Sequence, residues 1–330
     1  MLIRAALVAS VLAALAFAPT AGATFPGKNG LIAFNAITAD GTNQIFTVRS
    51  NGNRLTQITR GDGDALSADW SPDGRKIVFE LDTADGASIE LMNADGSDVQ
   101  NLTPVPTCCQ GQPSFTPDGQ RIVFERFDLD TFDDGIWSMN VDGTDQRHVI
   151  SPWPNGTGFA TDPNVSPDGK TLSFIGFDGT LVGPAPAFEP AQGLYTSTLD
   201  GSALAQLLPV TDDLAIKHDW SPDGRRLVVG VNANFLRQGD SANIGTLSPD
   251  GTDFRPLTNF HDGVVNAFAG SYSPDGRSIV FRLEDHRAFS LVTMRADGSH
   301  LKTILPPSAT FRPRNIDWGP KIDADGEDGD

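Results

Sequence analysis

Asp69-Trp70-Ser71-Pro72-Asp73-Gly74, followed after two residues by Ile77-Val78-Phe79, is the stretch on which the fold is read. Its turn returns as Thr116-Pro117-Asp118-Gly119, Ser166-Pro167-Asp168-Gly169, Ser221-Pro222-Asp223-Gly224 and Ser273-Pro274-Asp275-Gly276, at spacings of 45, 50, 55 and 52 residues. A β-rich triplet follows each copy: Ile122-Val123-Phe124, Leu172-Ser173-Phe174, Leu227-Val228-Val229 and Ile279-Val280-Phe281. Ile32-Ala33-Phe34 is a sixth member of that set. A second turn then comes at Asn51-Gly52, Asp95-Gly96, Asp142-Gly143, Asp200-Gly201, Asp250-Gly251 and Asp297-Gly298, after alternating runs such as Ile89-Glu90-Leu91-Met92. A fixed internal period outranks other readings of a chain.

Both turns have a physical basis. Proline presets φ for the second position of a tight turn, and glycine accepts the positive φ that closes it. Asn-Gly and Asp-Gly are the favoured two-residue hairpin turns, so that form is expected here. Each repeat therefore reads as four short antiparallel strands, and such a unit repeated radially is a propeller blade. The ends give a second test. The first repeat lacks an innermost strand, while Asn315-Ile316-Asp317-Trp318-Gly319-Pro320 copies Ala68-Asp69-Trp70-Ser71-Pro72 with no blade behind it. The last strand is predicted to complete blade one, which removes free sheet edges and fixes the count at six. The expected fold is an all-β, six-bladed propeller over residues 24–320.

The flanks read differently. Arg4, the apolar run from Ala5 to Ala18 and the small residues Ala21-Gly22-Ala23 predict a signal peptide over residues 1–23, cleaved near Ala23-Thr24. The run is too short to anchor in a bilayer, and no cysteine follows it, so export without a lipid anchor is expected, to a periplasm or the medium. Residues 321–330 predict a disordered acidic tail. Without Arg4 the chain holds 23 Lys and Arg against 42 Asp and Glu. That balance argues against a nucleic-acid partner, whose phosphates need a basic surface, and no later stretch is apolar enough for a membrane helix.

The DWSPDG-type repeat with its later DG turn resembles the WD-like repeat of the TolB-like β-propeller family, over roughly residues 25–320. The α/β domain that TolB carries ahead of its propeller has no room here, and no catalytic domain of the prolyl-oligopeptidase kind follows. The resemblance implies a non-catalytic, monomeric module that binds an envelope or extracellular protein. The second reading is a propeller enzyme of the glycan-lyase type, because some lyases with similar repeats hold metal through propeller histidines. An acidic glycan would need basic partners, and only Arg126, Arg237, Arg282, Arg287, Arg312 and Arg314 could supply them.

Candidate sites follow from loop length. The SPDG and DG turns are tight and share one face. The other face collects longer, variable connections within residues 35–44, 126–135, 151–163, 176–193, 231–243 and 259–268, where function concentrates on a rigid scaffold. Pro184, Pro186 and Pro190 predict a stiffened loop in the longest. His218, His261 and His286 map to this face, beside Asp219, Asp262, Glu284 and Asp285, and imidazole with carboxylate suits Zn or Mn. Their spacing matches no ligand motif. Asp128, Asp130, Asp133 and Asp134 form an acidic loop of calcium-site composition, yet Phe132 stands where an oxygen ligand belongs and the closing Glu is missing. Cys108 and Cys109 are adjacent, so a bridge between them would be strained; a vicinal disulfide, two thiols and a redox switch all stay open. Trp70, Trp220 and Trp318 recur at one position and predict packing between blades, whereas Trp153, between Pro152 and Pro154, is a candidate ligand contact.

Overall fold

The computed structural model describes residues 25–104, 109–127, 134–150, 159–182, 189–211, 214–231 and 241–322. Among these there is no helix; six four-stranded antiparallel sheets form the blades of a propeller. Blade one is built from both ends of the chain, in the order Arg314–Pro320, Asn29–Ile37, Asn43–Arg49, Thr56–Gln57. Ile32 pairs with Trp318 and Ala33 with Asp317. The closing strand therefore sits where the orphan copy of the repeat predicts. Lys321, just past it, still donates its N–H to the Lys28 carbonyl at 2.7 Å.

The five SPDG-type turns share one construction. The Ser71 hydroxyl donates to the Asp73 carboxylate at 2.6 Å and accepts the Lys76 N–H at 2.9 Å. The same exchange recurs from Thr116, Ser166, Ser221 and Ser273. The DG turns differ from the expected two-residue form. Asn93 N–H bonds the Ser97 carbonyl and Gly96 N–H bonds the Asn93 carbonyl, leaving a three-residue loop that ends on a left-handed glycine at φ 86°. A two-residue type I′ turn needs positive φ on the residue before glycine as well, and Asp95 does not have it. Its carboxylate instead holds the Ser97 N–H and hydroxyl at 3.0 and 2.6 Å. The glycine is needed twice over, since a Cβ on Gly96 would lie 2.3 Å from the Ile58 carbonyl oxygen of the preceding blade. Gly52 stands in the same relation to Ile304 of blade six, at 2.5 Å.

The core is divided among the seams. Each of six apolar clusters joins two neighbouring blades, and the residue ahead of each SPDG-type turn is buried in one of them: Trp70, Phe115, Val165, Trp220, Tyr272 and, at the closing strand, Trp318. Three residues earlier, the inner strand bulges. Ser67, Gln112, Asp162 and Asn315 occupy this position with φ between 45° and 51°, beside a register shift against the second strand. A bulge of this kind turns the strand and re-aims its side chains.

The 176–193 segment is partly strand. Thr171–Val182 and Glu189–Thr198 continue the hairpin of blade four, pairing Leu181 with Pro190 and Val182 with Glu189. Two strands that keep pairing satisfy their own main-chain groups, so Pro190 sits in a ladder instead of stiffening a loop; Pro184 and Pro186 lie outside the described residues.

Ring closure can be measured. Trp318→Ala should cost about 3–5 kcal/mol in urea unfolding. Trp318→Phe should cost under about 1.5 kcal/mol, because the buried indole N–H has no acceptor to lose. Equal losses in the two variants would contradict a packing role for this ring.

Candidate functional site: the axis and the long-loop face

Around the axis, one side chain per blade stands just before the buried seam residue. Asp317 of blade one accepts the Trp70 N–H of blade two at 2.9 Å, and Asp69 accepts the Phe115 N–H of blade three at 2.8 Å. Asp219 of blade five accepts the Tyr272 N–H of blade six at 2.8 Å, and Ser271 accepts the Trp318 N–H at 3.3 Å, which brings the chain of bonds back to blade one. In blade four Asn164 donates to the His218 carbonyl at 3.4 Å.

These carboxylates crowd a small axial cavity lined by Phe25, Asp69, Ser114, Asn164, Asp219 and Asp317. Phe25 is buried against the seam of blades two and three. Gly27 N–H bonds the Pro274 carbonyl at 3.1 Å, so residues 25–27 cross the axis on the SPDG face and close it there. Burial, reinforced by Asp317, pushes the Asp69 pKa well above the usual carboxylate range; burial likewise raises Asp317. Lys217 supplies the opposing charge, 3.5 Å from Asp162. Burial works against its ammonium, but Asp162, Asp317, Asp219 and Asp69 outweigh that and raise its pKa.

His218 is the one candidate histidine in this interior. It is fully buried near the end of the inner strand Leu214–Trp220, with Nε2 2.8 Å from Ser173 Oγ and Nδ1 2.9 Å from Asp162 Oδ2. The order Asp162, His218, Ser173 imitates a hydrolytic triad. Ser173 is nonetheless wholly buried; its hydroxyl donates to the Asn164 carbonyl at 3.1 Å and accepts the Trp220 indole N–H at 2.8 Å. A nucleophile must reach a carbonyl carbon and face oxyanion donors, and no substrate atom can approach this oxygen. The group is a clamp between blades four and five.

The other candidates scatter. His261 is exposed in the connection between blades five and six, and His286 is exposed in the hairpin of blade six, its Nδ1 2.5 Å from Asp285. The structure does not bring them to His218, and among the described residues no three His, Cys, Asp or Glu side chains form a group able to hold a metal. Asp134 opens the strand Asp134–Asn140, paired with Phe127. Asp128, Asp130, Asp133, Cys108 and Trp153 lie outside the described residues. Cys109 is exposed, at φ 23°, and its carbonyl accepts the Phe127 N–H.

Two features escape sequence reading. At the long-loop end of blade three, Arg126 lies over the Trp137 ring at 4.7 Å and His148 stacks on it at 4.6 Å. At the same end of blade six, Arg282 lies 4.0 Å over the Phe268 ring, and Arg312 lies 4.5 Å over Phe289. Neither grouping is contiguous in sequence.

Two outcomes are expected. Ser173→Ala should cost about 1–3 kcal/mol by stranding the Trp220 and His218 nitrogens. The double variant His218→Ala/Ser173→Val, which restores the residues blade two has at Ala68 and Val78, should unfold at higher urea than His218→Ala alone; the reverse order would refute the clamp. For pH, Asp69 and Asp317 bind protons more tightly folded than unfolded, so stability should rise as pH falls from 8 toward 5. Asp95, Asp142, Asp250 and Asp297 act oppositely through hydrogen bonds from the residue two positions on, as does Asp200, lowered to about 2 by Thr198 and then Ser202, so stability should fall as pH drops below about 4. Asp69→Asn should raise Tm by about 2 °C at pH 8 and leave it unchanged at pH 4. A flat melting profile between pH 8 and 5 in the unaltered protein would contradict the axial charge assignment.

Known proteins agree with this architecture. The protein Atu1656 of Agrobacterium fabrum is 29% identical over 139 residues, which cover 40% of this chain and 46% of that one. The Tol-Pal system protein TolB of Anaeromyxobacter dehalogenans is 31% identical over 116 residues, 35% of this chain and 24% of that one. The chain thus spans less than half the length of the curated relatives it matches. The crystal structure of TolB from Acinetobacter baumannii superposes with a TM-score of 0.67 at 18% identity, over 91% of this chain and 69% of that one. Residues 9–174, half of the sequence, match the family described as TolB beta propeller domain, and the chain belongs to that family.

Proposed function

We propose that this chain is an exported, non-catalytic, monomeric propeller that binds a protein partner through its long-loop face, in the cell envelope or outside the cell. The observation that carries the reading is the division between the two faces. The SPDG face is a ring of tight, self-bonded turns sealed on the axis by residues 25–27. The opposite face carries the variable connections and the stacked guanidiniums of Arg126, Arg282 and Arg312. Arginine and aromatic side chains are enriched where interfaces concentrate their energy. Among the described residues His218, His261 and His286 form no group able to hold a metal, which favours the binding reading over the lyase one.

Crosslinking and capture from native envelope or culture medium tests this. A specific, saturable protein partner is expected, with capture weakened at least about tenfold by Trp153→Ala and unchanged by Arg225→Ala on the SPDG face. No partner, together with turnover of a panel of acidic glycans, would replace the binding module with an enzyme.

A further inference from the structure

One position of the second strand differs tellingly between blades. Directly behind Phe34, Phe79, Phe124 and Phe281 stand Asn35, Glu80, Glu125 and Arg282. In blade two the Glu80 carboxylate reaches across the seam. It accepts the N–H of Gln112, the bulge residue of blade three, at 3.3 Å, and the hydroxyl of Ser67, the bulge residue of its own blade, at 3.2 Å. Glu125 likewise accepts the hydroxyl of Thr161, next to the bulge of blade four. An internal carboxylate therefore ties these seams at the level of the bulge.

In the seam between blades six and one the sign is inverted. Arg282 holds the place of Glu80, and the neighbouring strand that carries the bulge at Asn315 also carries Arg314, whose charge acts on Arg282, with Arg312 just ahead. Arg282 sits between the rings of Phe268 and Phe289, 4.0 and 5.8 Å from their centroids, and Arg312 lies over Phe289 at 4.5 Å. The buried Nε of Arg282 has no acceptor. Burial, then the charge of Arg314, lowers the Arg282 pKa to about 10; Arg312 adds to this and Glu284 opposes it. Among the described residues none of the three arginines has a carboxylate within ion-pair distance, although Arg121, Arg147, Arg226 and Arg255 are all paired with Asp145 or Asp253. Three arginines with no ion-paired carboxylate among the described residues thus share one seam in a chain of net charge −18, with Glu284 as a nearby unpaired charge.

We propose that this seam is a carboxylate-binding site, in which Arg282, Arg312 and Arg314 take an acidic side chain of a protein partner and so receive from outside the group that Glu80 provides from within. The inference rests on the partner-binding reading above. A planar guanidinium fixed by aromatic stacking matches a planar carboxylate through paired hydrogen bonds. Glu284, close to the site, disfavours a phosphate dianion more than a single carboxylate.

The probe is hexaglutamate, titrated calorimetrically at low salt against the full chain. The overall field of so acidic a protein repels this peptide, so saturable uptake reports a local site. Binding is expected in the unaltered protein, weakened at least about tenfold in Arg312→Gln and in Arg314→Gln, and unchanged in Arg225→Gln. Arg282→Gln should abolish it, with a thermal melt to show that the variant is folded. No saturable binding, binding indifferent to Arg312→Gln and Arg314→Gln together, or inorganic phosphate bound as tightly as hexaglutamate, would each overturn the site. If a captured partner still binds the Arg312→Gln/Arg314→Gln protein, the site assignment falls and the partner reading survives. If hexaglutamate binds here and no partner is captured, the carboxylate site stands and the partner reading falls.

Discussion

The ring depends on a hydrogen bond between neighbours. A blade is a sheet with two apolar faces, and neither can be buried without the next blade. What fixes blade to blade at four of the seams is a polar side chain on the inner strand that accepts a main-chain N–H from the strand beside it, as Asp69 does from Phe115 and Asp219 from Tyr272. The seam aromatic follows immediately in sequence, so one dipeptide sets both the bond and the packing. This arrangement also forces carboxylates toward a common axis, where desolvation raises the proton affinity of Asp69 and Asp317, with the charge of Asp317 adding to it at Asp69. Lys217 is the internal answer to that crowding.

Much of this is legible in the amino-acid order. The Asp-Trp dipeptides mark the seam bonds, the SPDG and DG turns mark the hairpins, and the orphan copy at Trp318 marks the closure. What escapes is informative. The inner-strand bulge has no residue signature, because Ser67, Gln112, Asp162 and Asn315 share a backbone conformation and no chemistry. The DG loop holds one residue more than a two-residue turn, since the acidic residue ahead of glycine is held by Ser or Thr behind it.

The candidate site is less legible, for a physical reason. His218 maps by chain position to the long-loop face with His261 and His286, yet it occupies a position filled by Ala68 in blade two and Ile316 in blade one, both buried. Ser173 stands where blades two, three, five and six have valine and blade one has Ala33. Two polar residues at facing core positions of adjacent blades are a matched pair, and comparing repeats column by column would have exposed it. The same comparison exposes Arg282 opposite Glu80. In a repeat protein the departures from the repeat carry more information than the repeat itself.

The bond from Trp70 to Asp317 joins residues 247 positions apart. Its consequence is one of timing. Contacts of such separation form only after most of the chain's freedom has been surrendered. A growing chain emerging from its N-terminus can assemble blades two to six in turn, but three strands of the first must wait for their fourth. Until the final residues are released the toroid has an open gap, and the strand Asn29–Ile37 lacks its inner partner. Completion is then a single late event, and whatever grips the C-terminus in the meantime governs when the molecule becomes whole.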